Sequence, residues 1–309
     1  MVISRKIIDG TEALTLGNDL LQTTIVPSMG GKLISVYNRK LKREFIWLNK
    51  NLPIRSHAHG SDYDAHFKGG IDELLPNDIP ETIDSVAYPD HGELWTTALE
   101  YEVRVNVLSL SGKLKLSGLH YHKSVRLDDV KPIIHLDYKI KNESGSTRNF
   151  LWKLHAALII EAGDRLVSPA VHGKVVDPEY SRFSYMNAFK WPQIENTDAS
   201  IVPVKNNSVD FFYLYDLKSP RMHWISKDKT SSFGYLYDPD VFPFQCYFAS
   251  YGGFLDHYTA ILEPCTSMPI LVNDAKEKKQ CTVLEPGETL QTSVQIFAGE
   301  IKNEIFYDG

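Results

Sequence analysis

His155 and Glu263 are two titratable side chains that this sequence sets inside otherwise apolar, strand-like segments, Leu151 to Leu158 (LWKLHAAL) and Ala260 to Pro269 (AILEPCTSMP). An imidazole and a carboxylate form a matched base and acid, enough to move protons between the oxygens of a polyhydroxylated substrate. A period of two along residues 149–160 places Leu151, Lys153, His155, Ala157 and Ile159 on one face and Phe150, Trp152, Leu154, Ala156 and Leu158 on the other. Lys153 therefore accompanies His155 on a face expected to be a concave binding surface, while the Trp152 side is expected to meet a second sheet. Glu263 precedes Pro264, which cannot donate to a ladder, so the carboxylate is expected at the mouth of its strand. A second Leu-Glu-Pro, at Leu284 to Pro286, continues into Gly287 and Glu288 and reads as a solvated turn, which sets Glu285 aside.

Two loops could complete such a surface. In Tyr88 to Trp95 (YPDHGELW) a proline and a glycine hold His91, Glu93 and Trp95 close together, and aromatic rings cover the apolar faces of pyranoses. In Phe67 to Asn77 (FKGGIDELLPN) the glycine pair permits close backbone approach, and Glu73 and Asn77 are expected to line the same cavity, with Gln245 as a further contact. The bland alternatives stay open at this point: a core histidine bonded to a backbone carbonyl, and a surface turn. His57, His59, Asp62, Asp64 and His66 form a looser cluster in which metal binding is conceivable, but the spacing matches no established metal motif. No nucleophilic-serine motif, phosphate-cradling glycine loop or dinucleotide fingerprint occurs, and no cofactor is expected.

The elements that must position these groups are strands. Alternation recurs at residues 20–26, 32–38, 101–110, 113–120, 134–141, 149–160, 257–263 and 290–298, with turn signals at Ser111-Gly112, at 142–145 and at 285–288. Only Ile71 to Asn77 suggests a turn of helix, and Lys276 to Lys279 reads as an exposed loop tip. The expected fold is all-β, a sandwich of antiparallel sheets forming a single domain over residues 1–309.

With 43 % hydrophobic and 11 % aromatic residues, the chain can bury a large core. A net charge of -6 argues against nucleic-acid or anionic-membrane partners, which reward concentrated basic surface. The N-terminal residues lack a signal-peptide pattern and no stretch reaches the length of a membrane span, so a cytoplasmic location is expected. Three cysteines without CxxC spacing indicate neither a disulfide framework nor a zinc site.

Taken together, the segments resemble the aldose 1-epimerase (galactose mutarotase) family. Val26 to Ser35 (VPSMGGKLIS) is similar to its opening strand pair, Pro89 to Gly92 to its His-Gly loop, His155 to its catalytic acid, and Leu262 to Pro264 to its base segment, with Pro286 to Glu288 before the last strand. The resemblance implies a galactose mutarotase-like supersandwich that interconverts sugar anomers without a cofactor. In that scheme Glu263 takes the proton of the anomeric hydroxyl, His155 protonates the ring oxygen and His91 binds substrate. Many relatives carry an arginine where Trp95 stands. Hexose-6-phosphate epimerases usually carry an arginine where Lys68 precedes the glycines. Both departures favour an unphosphorylated aldose, since a phosphate would lose its bidentate partners. The expected partner is a small-molecule sugar, and the expected assembly a monomer or homodimer. Two other classes compete: a non-catalytic carbohydrate-binding or sensing protein, and a polysaccharide lyase, whose groove is longer and whose base centres on a tyrosine.

Overall fold

Alternating side chains build two sheets here, because each strand has one apolar face to bury and the two sheets bury those faces against each other. The computed structural model describes residues 2–303. A 12-stranded sheet runs from Val2–Ile8 at one edge through Lys32–Asn38, Ile71–Leu74, Lys153–Ile159, Tyr258–Cys265, Phe244–Tyr251 and Ser208–Tyr215 to His172–Val175 and Phe189–Lys190. An 8-stranded sheet, with Ile133–Asn142 and Thr289–Glu300 near its centre, packs over it. Pairings between the described strands are antiparallel. The interior joins Leu154, Ala156, Leu262, Phe212 and Tyr247 of the larger sheet to Leu110, Tyr121, Leu136, Val294 and Phe233 of the smaller. The expected all-β sandwich of antiparallel sheets is the architecture found.

Local differences have local causes. Ile71 to Leu74 is a strand, not a helical turn. Ile71 and Glu73 point to the core side, Asp72 and Leu74 to the other, so each face mixes apolar with charged residues and no period of two shows. Ser111 and Gly112 lie inside the strand Val107–Lys113, whose hairpin turns fall at Val105-Asn106 and Leu114 to Gly118. Gly112 is a packing glycine: a Cβ there would sit 2.7 Å from Leu99 Cδ2. Residues 149–160 form two strands. Arg148–Phe150 pairs with Thr282–Leu284, while the chain between them turns where Leu151 N donates to Pro76 O and Trp152 N to Thr266 Oγ1. Lys276 belongs to a short helix, Val272–Glu277, instead of a loop tip.

Candidate active site

The outer face of the larger sheet carries a row of polar side chains that the strand register alone brings together. The pairing that sets Lys153 against Cys265 and Ala156 against Leu262 puts His155 opposite Glu263, and directly opposed residues share a face. Between those two points the ladder is interrupted, where Pro264 has no N–H to give. Pro264 does not end the strand, as its sequence position suggested, since Tyr258–Cys265 continues through it. On the other side of His155 stands Asp72, and the register of the next strand sets Lys32 opposite Asp72. Beyond Glu263 the row continues through Cys246 and Tyr213 to Lys174.

His155, Glu263, Tyr213 and Lys174 of this row, with Phe211 and Phe248 on the same face, line the floor of a cleft of about 670 Å³, which is also lined by Tyr63, Phe67, Asp78, His91, Phe254 and Ile270. A mostly apolar cavity with a few convergent polar groups is the usual form of a small-molecule site. A larger, more open groove of about 970 Å³ lies toward the N-terminal strands of the same sheet, beyond Trp47. Of its carboxylates, Glu44 is committed to Ser35 Oγ and to the backbone N–H groups of Val36, Phe45 and Ile46, Asp9 accepts from Ile54 N, and Asp256 pairs with Lys205.

The loop that brings in His91 is held by its backbone. His91 has a φ of 57° and Gly92 one of 72°, and a Cβ on Gly92 would meet Leu75 O at 2.3 Å, so only glycine permits this approach. His91 N donates to Asp78 O at 2.5 Å. Asn77 Nδ2 donates to both Ile79 O and Pro89 O at 2.8 Å. Glu93 is buried beneath the loop and accepts from Leu116 N, Ser117 N and Ser117 Oγ.

Charge is unevenly shared between the two cleft imidazoles. His91 stacks on Tyr63, centroids 3.7 Å apart, and its Nδ1 lies 2.9 Å from Asp90 Oδ1. Burial works against its protonation, but Asp90, Asp78 and Asp64 outweigh that and raise its proton affinity above an ordinary histidine's. His155 is set at right angles to His91, centroids 6.1 Å apart, and its buried Nδ1 has no partner. Burial, reinforced by His91, Lys153 and Lys32, holds it well below the usual histidine range, and so neutral. Burial raises the Glu263 carboxyl despite Lys153, whose Nζ lies 2.6 Å from Oε2.

Of the residues expected from the sequence to meet a substrate, the structure brings His155, Glu263, His91 and Lys153 into this cleft. The other four lie elsewhere. Glu73 points into the inter-sheet core, where Lys123 Nζ approaches its two oxygens at 3.0 and 3.1 Å. Gln245 faces the same core and bonds Ser168 Oγ, Arg221 O and Tyr237 OH. Asn77 is spent on the loop backbone as described. Trp95 packs behind the aromatic wall, edge-on to Tyr63 at 5.1 Å. Asp216 and Trp224 are also outside it, the first exposed against His172 and the second donating to Asp164. Sequence reasoning missed Asp78 and Tyr63. Asp78 follows directly on the stretch ending at Asn77, and Tyr63 OH donates to Asp72 Oδ2 at 2.9 Å.

No family model matches the chain. No curated protein matches it in sequence. Solved structures do. The Slr1438 protein of Synechocystis sp. PCC 6803 superposes with a TM-score of 0.72 at 15% identity, over 97% of this chain and 99% of that one. A galactose mutarotase-like protein from Clostridium acetobutylicum gives 0.71 at 13% identity, over 97% and 99%. A Klebsiella pneumoniae protein with the provisional name aldose 1-epimerase gives 0.70 at 15%, over 95% of this chain and 81% of that one. Likeness at this identity establishes a shared fold.

Proposed function

We propose that this chain, which has the galactose mutarotase-like fold, is an aldose 1-epimerase acting on an unphosphorylated sugar. The observation that carries this reading is the placement of His155 and Glu263 as opposed residues on the floor of one cleft, with His91 on its wall. Glu263 takes the proton from the anomeric hydroxyl, the bond from the anomeric carbon to the ring oxygen breaks, and its electron pair goes to that oxygen. The ring oxygen receives its proton from the imidazole pair. His155, neutral in the free protein, gives that proton from its imidazolium form and so must first take one up, and His91, whose proton affinity is raised, is the neighbouring imidazole inclined to hold one. Rotation about the bond between the first two carbons and reclosure with the transfers reversed give the other anomer.

An unphosphorylated substrate fits the lining. No arginine lines the cleft among the described residues, and its carboxylates, Asp64, Asp78, Asp90, Asp177, Glu263 and Asp274, outnumber its lysines, Lys153, Lys174 and Lys278. A phosphate would find no bidentate partner and would be repelled. The aromatic wall suits the apolar face of a pyranose.

Polarimetry and exchange NMR on freshly dissolved glucose, galactose and other aldoses test the reading. Catalysed approach to anomeric equilibrium is expected. Saturable sugar binding with no anomer exchange would make the chain a carbohydrate-binding protein of the same fold.

A further inference from the structure

Lys153 shares the face of His155, yet its ammonium is not available to a sugar. Nζ lies 2.5 Å from Asp78 Oδ2 and 2.6 Å from Glu263 Oε2, with all three side chains almost fully buried. The Phe211 ring closes another side, its centroid 5.6 Å away. We propose that Lys153 and Asp78 are positioning residues, a buried clamp in which the Lys153 ammonium holds the Glu263 carboxylate in place as the base and Asp78 shares that ammonium from the other side. This rests on the epimerase reading only for the name of the reaction; the clamp itself is a property of the free protein.

The geometry argues for a device tuned in both directions. A carboxylate buried alone would take up a proton and lose its function as a base. One lysine pressed against it would overcorrect, holding the charge so firmly that proton uptake from substrate becomes unfavourable. Asp78 offsets that by claiming the same ammonium from the other side. Asp78 also accepts from His91 N through its carbonyl, so one residue ties the base side of the cleft to the imidazole side.

Several other ionisable groups face Glu263. His155 comes from the neighbouring strand, Cys246 from the strand on the opposite side and Cys265 from its own, while Tyr63 and His91 come from the loops above and Tyr213 from beyond Cys246. Burial raises its proton affinity, Lys153 lowers it, Asp78 raises it and His91 lowers it. Removing the charge of Lys153 and removing that of Asp78 therefore push in opposite directions.

The test compares wild type, Lys153→Met, Lys153→Arg and Asp78→Asn. The Glu263 carboxyl is titrated by 13C NMR in the free protein, and kcat/KM for mutarotation is followed against pH. Lys153→Met is expected to move the titration and the acid limb up by about one unit or more, Asp78→Asn to move both down, and Lys153→Arg, which keeps the charge, to hold them near wild type. A clamp with only a structural role lowers stability and moves neither midpoint. Unchanged midpoints in folded Lys153→Met and Asp78→Asn overturn the proposal. If Lys153→Met does not fold, the downward shift in Asp78→Asn decides, and its absence is equally fatal. Absence of mutarotation in the wild type overturns the epimerase reading alone, because the NMR titration needs no substrate.

Discussion

Asp72 and Glu73 are neighbours on one strand, each buried and each facing a buried lysine, yet they lie in two different kinds of place. Glu73 points between the sheets. Both of its oxygens meet Lys123 Nζ, Tyr138 OH donates to Oε1 at 2.8 Å, and Lys123 is further bonded to Gly31 O. Asp72 points outward. Lys32 Nζ and Tyr63 OH share its Oδ2 at 3.0 and 2.9 Å, its Oδ1 has no partner, and the row continues to His155, whose Nδ1 is also unpartnered, and to Glu263 under the cleft. The same pairing of lysine and carboxylate thus satisfies both carboxylate oxygens between the sheets, where the nearby Tyr121 and Tyr235 hydroxyls stay unpartnered, and leaves Asp72 Oδ1 unpartnered on the face that holds the cleft. Unspent bonding capacity next to a cavity, more than residue type, separates the two.

The sharpest test of that contrast is a pair of isosteric substitutions. Glu263→Gln should cost ~100- to 10,000-fold in mutarotation rate by polarimetry, with the circular dichroism spectrum unchanged. Glu73→Gln should instead lower unfolding free energy by about 3–5 kcal/mol in denaturant titration, because it strands the buried Lys123 charge, while the folded fraction keeps its rate. The reverse pattern, a silent Glu263→Gln or an inactive but stable Glu73→Gln, would break the comparison.

A double-mutant cycle sharpens the inner face. Lys123→Met with Glu73→Met should destabilise by less than the sum of the two single changes, since no unpaired charge is left behind. Gly92→Ala tests the loop: with a φ of 72° and Leu75 O at 2.3 Å from the new Cβ, a loss of about 1–3 kcal/mol is expected, together with a lower kcat as His91 is displaced. The pH profile gives a smaller but directional effect. Burial lifts the Glu263 carboxyl, so the base should be lost on acidification at a midpoint above the ordinary glutamate value of about 4.3, read from kcat/KM. Asp216→Asn, at an exposed pair with His172, should change stability by less than about 0.5 kcal/mol and leave the rate unaltered.

Much of the fold and half of the site could be read from the chain. The alternation through Lys153, His155 and Ala157 against Trp152, Leu154 and Ala156 assigns those side chains to the cleft and core faces that the structure shows. The glycine after His91 marks a tight loop, as found. Glu73, Gln245, Asn77 and Trp95 illustrate the limit. Each is a residue type suited to gripping a sugar, and each is drawn elsewhere by a partner remote in sequence: Lys123, Tyr237, Pro89 and Tyr63. Asp78 meets Lys153, which is 75 positions away, only in the folded chain.

By itself the sequence determined which side chains of a strand travel together, because the pleat of the backbone throws neighbours to opposite faces whatever lies around them. Only the tertiary structure decided that the strand of Glu263 pairs with that of His155 in a register that sets them opposite, and that the face holding Asp72 opens on a cavity while the face holding Glu73 is sealed. Register and cover are settled by burying the whole apolar surface at once, a sum over residues far apart in the chain that no local pattern contains.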